Sequence, residues 1–142
     1  TEYHVTHGNP PYMGGKHFTP KMREFARSEY PDSYGDLCAM FIARGHEMTL
    51  PGGMVAMITM ESWMFLKSFE ALRRRLLDTT TTLTMAHLGS GVFGSGAVIS
   101  TTAFVQCSAH EEGWPGVYFR MVDSRQKQRD LKLSILGYRG MS

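Results

Sequence analysis

Apolar residues fall either into short continuous runs or into stripes at helical spacing, with glycine and proline between them, and this alternation predicts strands and helices in turn. Tyr3 to Thr6 reads as a short strand with a β-branched Val5, ended by Gly8 and the pair Pro10-Pro11, which cannot continue a ladder. Pro20 to Ser28 predicts a short helix with Thr19 as its cap, stopped by Pro31. From Asp36 onward, Leu37, Met40, Phe41 and Met48 recur at helical spacing up to the breaker Leu50-Pro51-Gly52-Gly53. Met54 to Met60 is apolar throughout, which suits a strand buried on both faces of a parallel sheet.

Phe65 to Leu77 places Phe65, Leu66, Phe69, Leu72, Leu76 and Leu77 on one side and predicts one amphipathic helix. Thr80 to Leu88 is Thr-rich and β-prone, a glycine loop spans Gly89 to Gly96, and Ala97 to Gln106 and Val117 to Val122 read as further strands. Strand, helix, strand, helix and then adjacent strands make an α/β fold: a mixed, mostly parallel sheet with an antiparallel strand added at one edge, in three layers. Ligands in such sheets collect beyond the carboxyl ends of the parallel strands, and Asn9-Pro10-Pro11-Tyr12 stands at such an end.

Composition narrows this picture only modestly. With 142 residues, 42% of them hydrophobic, the chain can bury the core of one domain. A formal net charge of +2, with fifteen Lys and Arg spread along the chain, neither demands nor excludes nucleic acid. Cys38 and Cys107 are too far apart for a metal knuckle and too few for a disulfide framework, so they read as buried thiols in a reducing cytoplasm. The longest apolar run is far short of the roughly 20 residues that cross a bilayer, so neither a membrane span nor a signal peptide is expected. The sequence opens at Thr1 without an initiator Met, directly before a core-like strand, and reads as a piece of something longer.

The chemistry concentrates in Asn9-Pro10-Pro11-Tyr12. An Asn side-chain oxygen and the following backbone carbonyl are two acceptors that can receive both hydrogens of one planar amino group. That localises the nitrogen lone pair and makes a poor nucleophile competent without a strong base. Pro11 restricts the backbone at Pro10, so the Pro10 carbonyl points in a settled direction. Tyr12 supplies a ring for a flat substrate, a contact worth about 1–3 kcal/mol in single-strand binders. The bland alternative is an ordinary turn, since Asn and Pro are common turn residues.

Gly8-Asn9-Pro10-Pro11-Tyr12 after a strand resembles motif IV of the amino-methyltransferases. The later order is similar too: a helix from Asp36-Leu37, the Pro51-Gly52-Gly53 turn, the strand Met54 to Met60, and Glu61-Ser62-Trp63. Gly91-Val92-Phe93-Gly94 followed by Val98 to Val105 looks like motif VIII. The similarity covers roughly Tyr3 to Gln106, and within the family it most resembles adenine-specific DNA methyltransferases of BREX-type phage-resistance and restriction-modification systems. This resemblance implies a Rossmann-like sheet, of which the chain is the C-terminal, catalytic half, with S-adenosylmethionine as cofactor and DNA as partner. The target adenine would be flipped out of the duplex.

Under that resemblance Asn9, Pro10, Pro11 and Tyr12 are the catalytic residues and Phe93 helps to hold the base; by position, Lys16 close after Tyr12 is a candidate phosphate contact, and Asp36 either orients the substrate or caps its helix. Residues 1–123 would form the catalytic subdomain and 124–142 an extension. The family's glycine-rich cofactor loop, expected on an earlier strand, is absent, so this stretch alone should bind cofactor weakly or not at all. The same tetrapeptide serves methyltransferases acting on protein glutamine or RNA, and a non-catalytic DNA- or partner-binding fragment also stays open. His4, His7 and His17 lack metal-ligand spacing and read as ordinary histidines, with no metal expected. Arg73-Arg74-Arg75 reads as a solvated helix face, Asp36 doubles as a helix cap, and Glu61 and Trp63 either pack or serve the functional edge. Finally, the first strand would leave an open sheet edge able to pair with another copy, and other defence-system subunits are possible partners.

Overall fold

The computed structural model describes residues 2–93 and 99–139. Its elements are β1 (Tyr3–Gly8), α1 (Pro20–Glu29), α2 (Leu37–Glu47), β2 (Thr49–Met60), α3 (Ser62–Phe65), α4 (Glu70–Thr79), β3 (Thr81–Gly89), β4 (Thr101–Cys107), β5 (Val117–Arg120) and α5 (Lys127–Arg139). The strands form one sheet in the order β1-β2-β4-β3-β5. β1 runs parallel to β2 and β3 parallel to β5, while β4 runs antiparallel to both β2 and β3. The mixed, mostly parallel α/β sheet is therefore as expected, but the antiparallel strand lies inside it. The crossover from β2 through α3 and α4 carries β3 one place beyond β2's neighbour. β4 then returns into the vacant slot and pairs on both sides, leaving β1 and β5 as the edges.

The local sequence accounts for the helix starts. The Thr19 hydroxyl accepts the Met22 N–H at 3.2 Å and Pro20 opens α1; Asp36 accepts the Cys38 N–H at 2.7 Å and opens α2. The breaker at Pro51-Gly52-Gly53 becomes an irregularity inside β2, whose pairing with β1 jumps between Tyr3↔Thr49 and Val5↔Met54. Gly52 takes a φ of +80°, and a Cβ on Gly53 would stand 2.8 Å from the His4 carbonyl oxygen, so both positions require glycine.

The predicted helix from Phe65 to Leu77 is broken. Leu66 is extended at ψ 140°, a short 3₁₀ turn covers Lys67–Phe69, and α4 starts afresh at Glu70. Arg73 stabilises the break by donating to the Trp63 and Leu66 carbonyls at 2.9 and 2.7 Å. Only Phe69, Leu72 and Leu76 of the predicted stripe are buried; Phe65, Leu66 and Leu77 face solvent. The strand predicted over Ala97 to Gln106 is regular from Thr101 only, and its first two positions, with 94–96 of the glycine loop, lie outside the described residues.

Val55 and Met57 of β2 and Phe104 of β4 lie on one face of the sheet, and Ala39, Ile42, Trp63, Phe69, Leu72 and Leu76 pack with them as the main core. Fully burying side chains such as Ile42 and Leu72 contributes about 1.5–3 kcal/mol each. Phe18, Ala26 and Met40 form a second cluster between α1 and α2. The opposite face carries Val5, Met54, Ala56, Ile58, Ala103 and Val105, all exposed or half-buried. β2 is thus buried on one face and only half-buried on the other, while further along that other face Ala86, opposite Ala103, and Leu88 are buried. Leu88 lines a cavity together with Lys127, Gln128 and Leu131 of α5.

A polar chain ties α2 to the sheet. His46 Nδ1 lies 2.8 Å from Ser108 Oγ and its Nε2 3.0 Å from Gln106 Oε1, while Gln106 Nε2 donates to Thr82 Oγ1. Because Gln106 presents its oxygen, His46 carries a proton on Nε2. Burial holds its pKa below the ordinary 6.5, outweighing the Gln106 bond that raises it. A depressed folded-state pKa gives stability that is present above pH 6.5 and is lost as pH falls through the folded value. Thermal unfolding followed from about pH 7.5 to about pH 5 should show a falling midpoint, and His46→Gln should flatten that slope.

Candidate active site

β1 stops at Gly8, the last residue paired with β2, opposite Met57. The two prolines carry the chain out of the sheet with Asn9 exposed, Pro10 buried and Pro11 exposed. The Tyr12 hydroxyl lies 3.0 Å from Asn9 Oδ1 and 3.4 Å from the Ile58 carbonyl of β2, which closes the loop back on the sheet. One donated hydrogen leaves Asn9 Oδ1 with a lone pair to spare. Among the described residues no donor reaches the Pro10 carbonyl. The two acceptors required for an amino group are therefore both available at the carboxyl end of a parallel strand.

Desolvation by burial, with the neighbouring Cys38 adding to it, pushes the Tyr12 phenol up to about 12, so it stays a neutral donor near neutral pH. Burial likewise pushes the Cys38 thiol up to about 12, which makes it packing rather than a nucleophile. Phe93 is 44% exposed and meets Tyr12 edge-on with centroids 6.1 Å apart. The tetrapeptide and Phe93, 81 residues further along the chain than Tyr12, are thus brought into one place.

Lys16 sits exposed in the 3₁₀ turn Gly15–His17, just after the tetrapeptide. Asp36 is buried, and its carboxylate caps α2. Burial raises its pKa, while the N–H groups of Cys38 and Ala39 pull it down. Its neighbours fasten the loop to α2: Leu37 N–H donates to the Met13 carbonyl and Gly15 N–H to Gly35, each at 2.9 Å, beside a Gly14↔Asp36 bridge. Arg73 and Arg75 are engaged within the fold, Arg75 with Asp32 at 2.6 Å, while Arg74 pairs with Glu70 on the surface.

Two open cavities flank Asn9. One of about 260 Å³ runs under Pro10 and Pro11 towards Phe41 and Met48. The other, of about 610 Å³, lies over Gly8, Ala56, Ile58 and Ala103 on the uncovered face. A third, of about 410 Å³ between α4, β3 and β5, shares no lining residue with them and lies apart from Asn9. Sequence reasoning missed the Ile58 carbonyl as an anchor, because a backbone acceptor leaves no mark in the sequence. It also missed His87, which meets Glu61 at 2.7 Å on the same edge; only its place near the end of a predicted strand could have drawn attention to it.

A family model, the Eco57I restriction-modification methylase, matches residues 1–93. The chain belongs to this family. It is 45% identical over 129 residues to the adenine-specific methyltransferase BrxX of Escherichia coli O9:H4, an alignment covering 89% of this chain and 11% of that protein. The chain therefore spans about a tenth of that relative's length. Its fold is shared by a class I S-adenosylmethionine-dependent methyltransferase of Listeria monocytogenes, with a TM-score of 0.65, 14% identity, and coverage of 94% of this chain and 41% of that one. The Type ISP restriction-modification enzyme LlaGI, solved with a DNA substrate mimic, gives 0.65 at 16% identity, over 89% of this chain and 15% of its own.

The Asp36 cap gives a measurable expectation. Asp36→Ala should cost about 1 kcal/mol in denaturant unfolding, whereas Asp36→Asn should match the parent, because Asn caps as well as Asp and avoids burying a charge.

Proposed function

We propose that the protein carrying this chain transfers the methyl group of S-adenosylmethionine to the exocyclic amino group of an adenine flipped out of DNA, in restriction-modification or phage defence. The observation that carries this reading is the pair of available acceptors, Asn9 Oδ1 and the Pro10 carbonyl, on a rigid loop beside Tyr12 and Phe93. The family and the adenine-specific relative support the substrate class. The LlaGI structure with a DNA mimic supports the partner.

S-adenosylmethionine supplies a methyl group activated by a positively charged sulfur. The residues present fit its reacting end: a Cβ on Gly8 would meet nothing within 4 Å, and the cavity over Gly8, Ala56 and Ile58 opens directly beside Asn9. Among the described residues no glycine-rich loop leads into a helix there, and we infer that the nucleoside end is held outside them. Asn9 and Pro10 accept the two amino hydrogens and turn the nitrogen lone pair towards the methyl. S-adenosylmethionine held beside Asn9 would supply the methyl group, and the amino nitrogen oriented by Asn9 and Pro10 would give up one proton to water.

Tyr12 and Phe93 offset part of the few kcal/mol that extruding the base costs. Lys16 holds a phosphate beside the extruded nucleotide, and Asp36 acts by fixing α2 and the loop rather than by touching the base. Residues 1–123 form the catalytic part and 124–142 an extension.

In the full-length protein, Asn9→Ala should abolish methylation of DNA while leaving DNA binding within about threefold. Tyr12→Phe, which keeps the ring, should lose less activity than Tyr12→Ala. Labelled cofactor offered with DNA, RNA and protein substrates checks the substrate class, and label on protein or RNA alone would refute it. Titration of the isolated chain with S-adenosylmethionine should give no heat of binding.

The outer edge of β1 has unpaired backbone groups, and Val5 is exposed on it. We infer that the isolated chain self-associates through this edge. Light scattering at rising concentration should show dimers or larger species, and a strict monomer would overturn the inference.

A further inference from the structure

The segment from Glu61 to Leu66, which leaves the carboxyl end of β2, is held far more firmly than a surface turn needs. Trp63 is buried, donates its indole N–H to Thr59 Oγ1 at 2.9 Å, and meets Phe104 edge-on at 5.6 Å. The Glu61 N–H donates to the Ser100 carbonyl at 3.0 Å. Arg73 donates to both the Trp63 and the Leu66 carbonyls. The Glu61 carboxylate meets His87 Nε2 at 2.7 Å, and the His87 ring lies 5.4 Å from that of Phe65. All of this bracing presents two large apolar side chains to solvent, Phe65 at 60% and Leu66 at 52% exposure. One exposed apolar residue is ordinary, but an adjacent pair on a backbone fixed at both ends is a rigid apolar tip.

The tip shares its edge of the sheet with the base site. Tyr12 reaches the Ile58 carbonyl three residues before Glu61, and Ser100, which holds Glu61, lies between the Phe93 loop and β4. Lys67 follows the tip at once and is exposed. Extruding a base leaves a gap in the stack, and apolar side chains that enter between base steps are a recurrent way of filling it. Such a wedge has to resist being pushed back as the bases part, and a braced backbone provides that resistance. The place of the tip beside the base site, and the cationic Lys67 next to it, favour a nucleic-acid partner.

We propose that Phe65 and Leu66 are the wedge that enters the duplex at the step from which the adenine is extruded, with Lys67 against the adjoining phosphate. This rests on the reading of the site as an adenine methyltransferase.

The test uses the full-length protein, once its methylated site has been mapped on plasmid DNA, with Phe65→Ala/Leu66→Ala and Asn9→Ala variants. Two duplexes are compared, one with the target adenine paired and one with it opposite an abasic position, where extrusion is already easy. The double variant should lose about tenfold or more in kcat/KM on the paired duplex and recover to within about threefold of the parent on the abasic one. 2-Aminopurine at the target should show reduced extrusion only in the paired duplex. Equal loss on both duplexes, or loss accompanied by a lowered melting temperature, would mean that the tip packs against another part of the protein and would overturn the proposal, as would no loss on either. Failure of the underlying reading looks different: the parent methylates neither duplex or Asn9→Ala stays active, and the wedge falls with it.

Discussion

The parallel pairing of β1 with β2 is the interaction on which the rest of the site depends. It runs as far as Gly8↔Met57 and stops there because the chain next has two prolines, which have no N–H to give to a ladder. The strand fixes where Asn9 stands, and the prolines fix which way the backbone leaves. An Asn in a free loop would spend conformational entropy each time it met a substrate. This one is already placed, and Tyr12 ties it to the Ile58 carbonyl of the neighbouring strand. The half-buried phenol stays neutral, so the tie persists across the pH range in which proteins work.

The second support is less visible. α2 begins at the Asp36 cap, and backbone bonds on either side of that cap hold the segment after Tyr12. One carboxylate therefore starts a helix and steadies a loop. Cys38, in the first turn, packs at Tyr12 and is kept inert by the same burial. The pieces are individually weak, at about 1 kcal/mol for a cap or a hydrogen bond, and they matter because they converge on one short segment.

Much of this was legible in the sequence, and the exceptions follow a pattern. The caps at Thr19 and Asp36, the strand ahead of Asn9 and the glycines of the turn in β2 could be read, because each is a local rule expressed in a few neighbouring residues. The tetrapeptide itself was the sharpest signal. What could not be read was long-range. Helical periodicity continues from Phe65 to Leu77, and nothing in it reveals that Arg73 will satisfy the Trp63 and Leu66 carbonyls and so favour a break. Strand order was similarly hidden: β4 could sit at the edge or in the gap beside β2, and only pairing energy across the whole sheet decides for the gap. The Glu61–His87 pair joins the ends of two strands separated by a third, which no spacing along the chain can show.

The uncovered face of the sheet and the chemistry at Asn9 form one problem rather than two. Ala56, Ile58 and Ala103 of that face line the cavity beside Gly8 and Asn9, and Val5, Met54 and Val105 lie on the same face. Hydrogen bonds that turn an amino lone pair are strong only where water is excluded, because water competes for the same hydrogens and screens the developing charge. A surface that covered that face would therefore also exclude water from Asn9. Among the described residues Asn9 is exposed, so under the proposed function its hydrogen bonds would gain their full strength only from a surface covering that face.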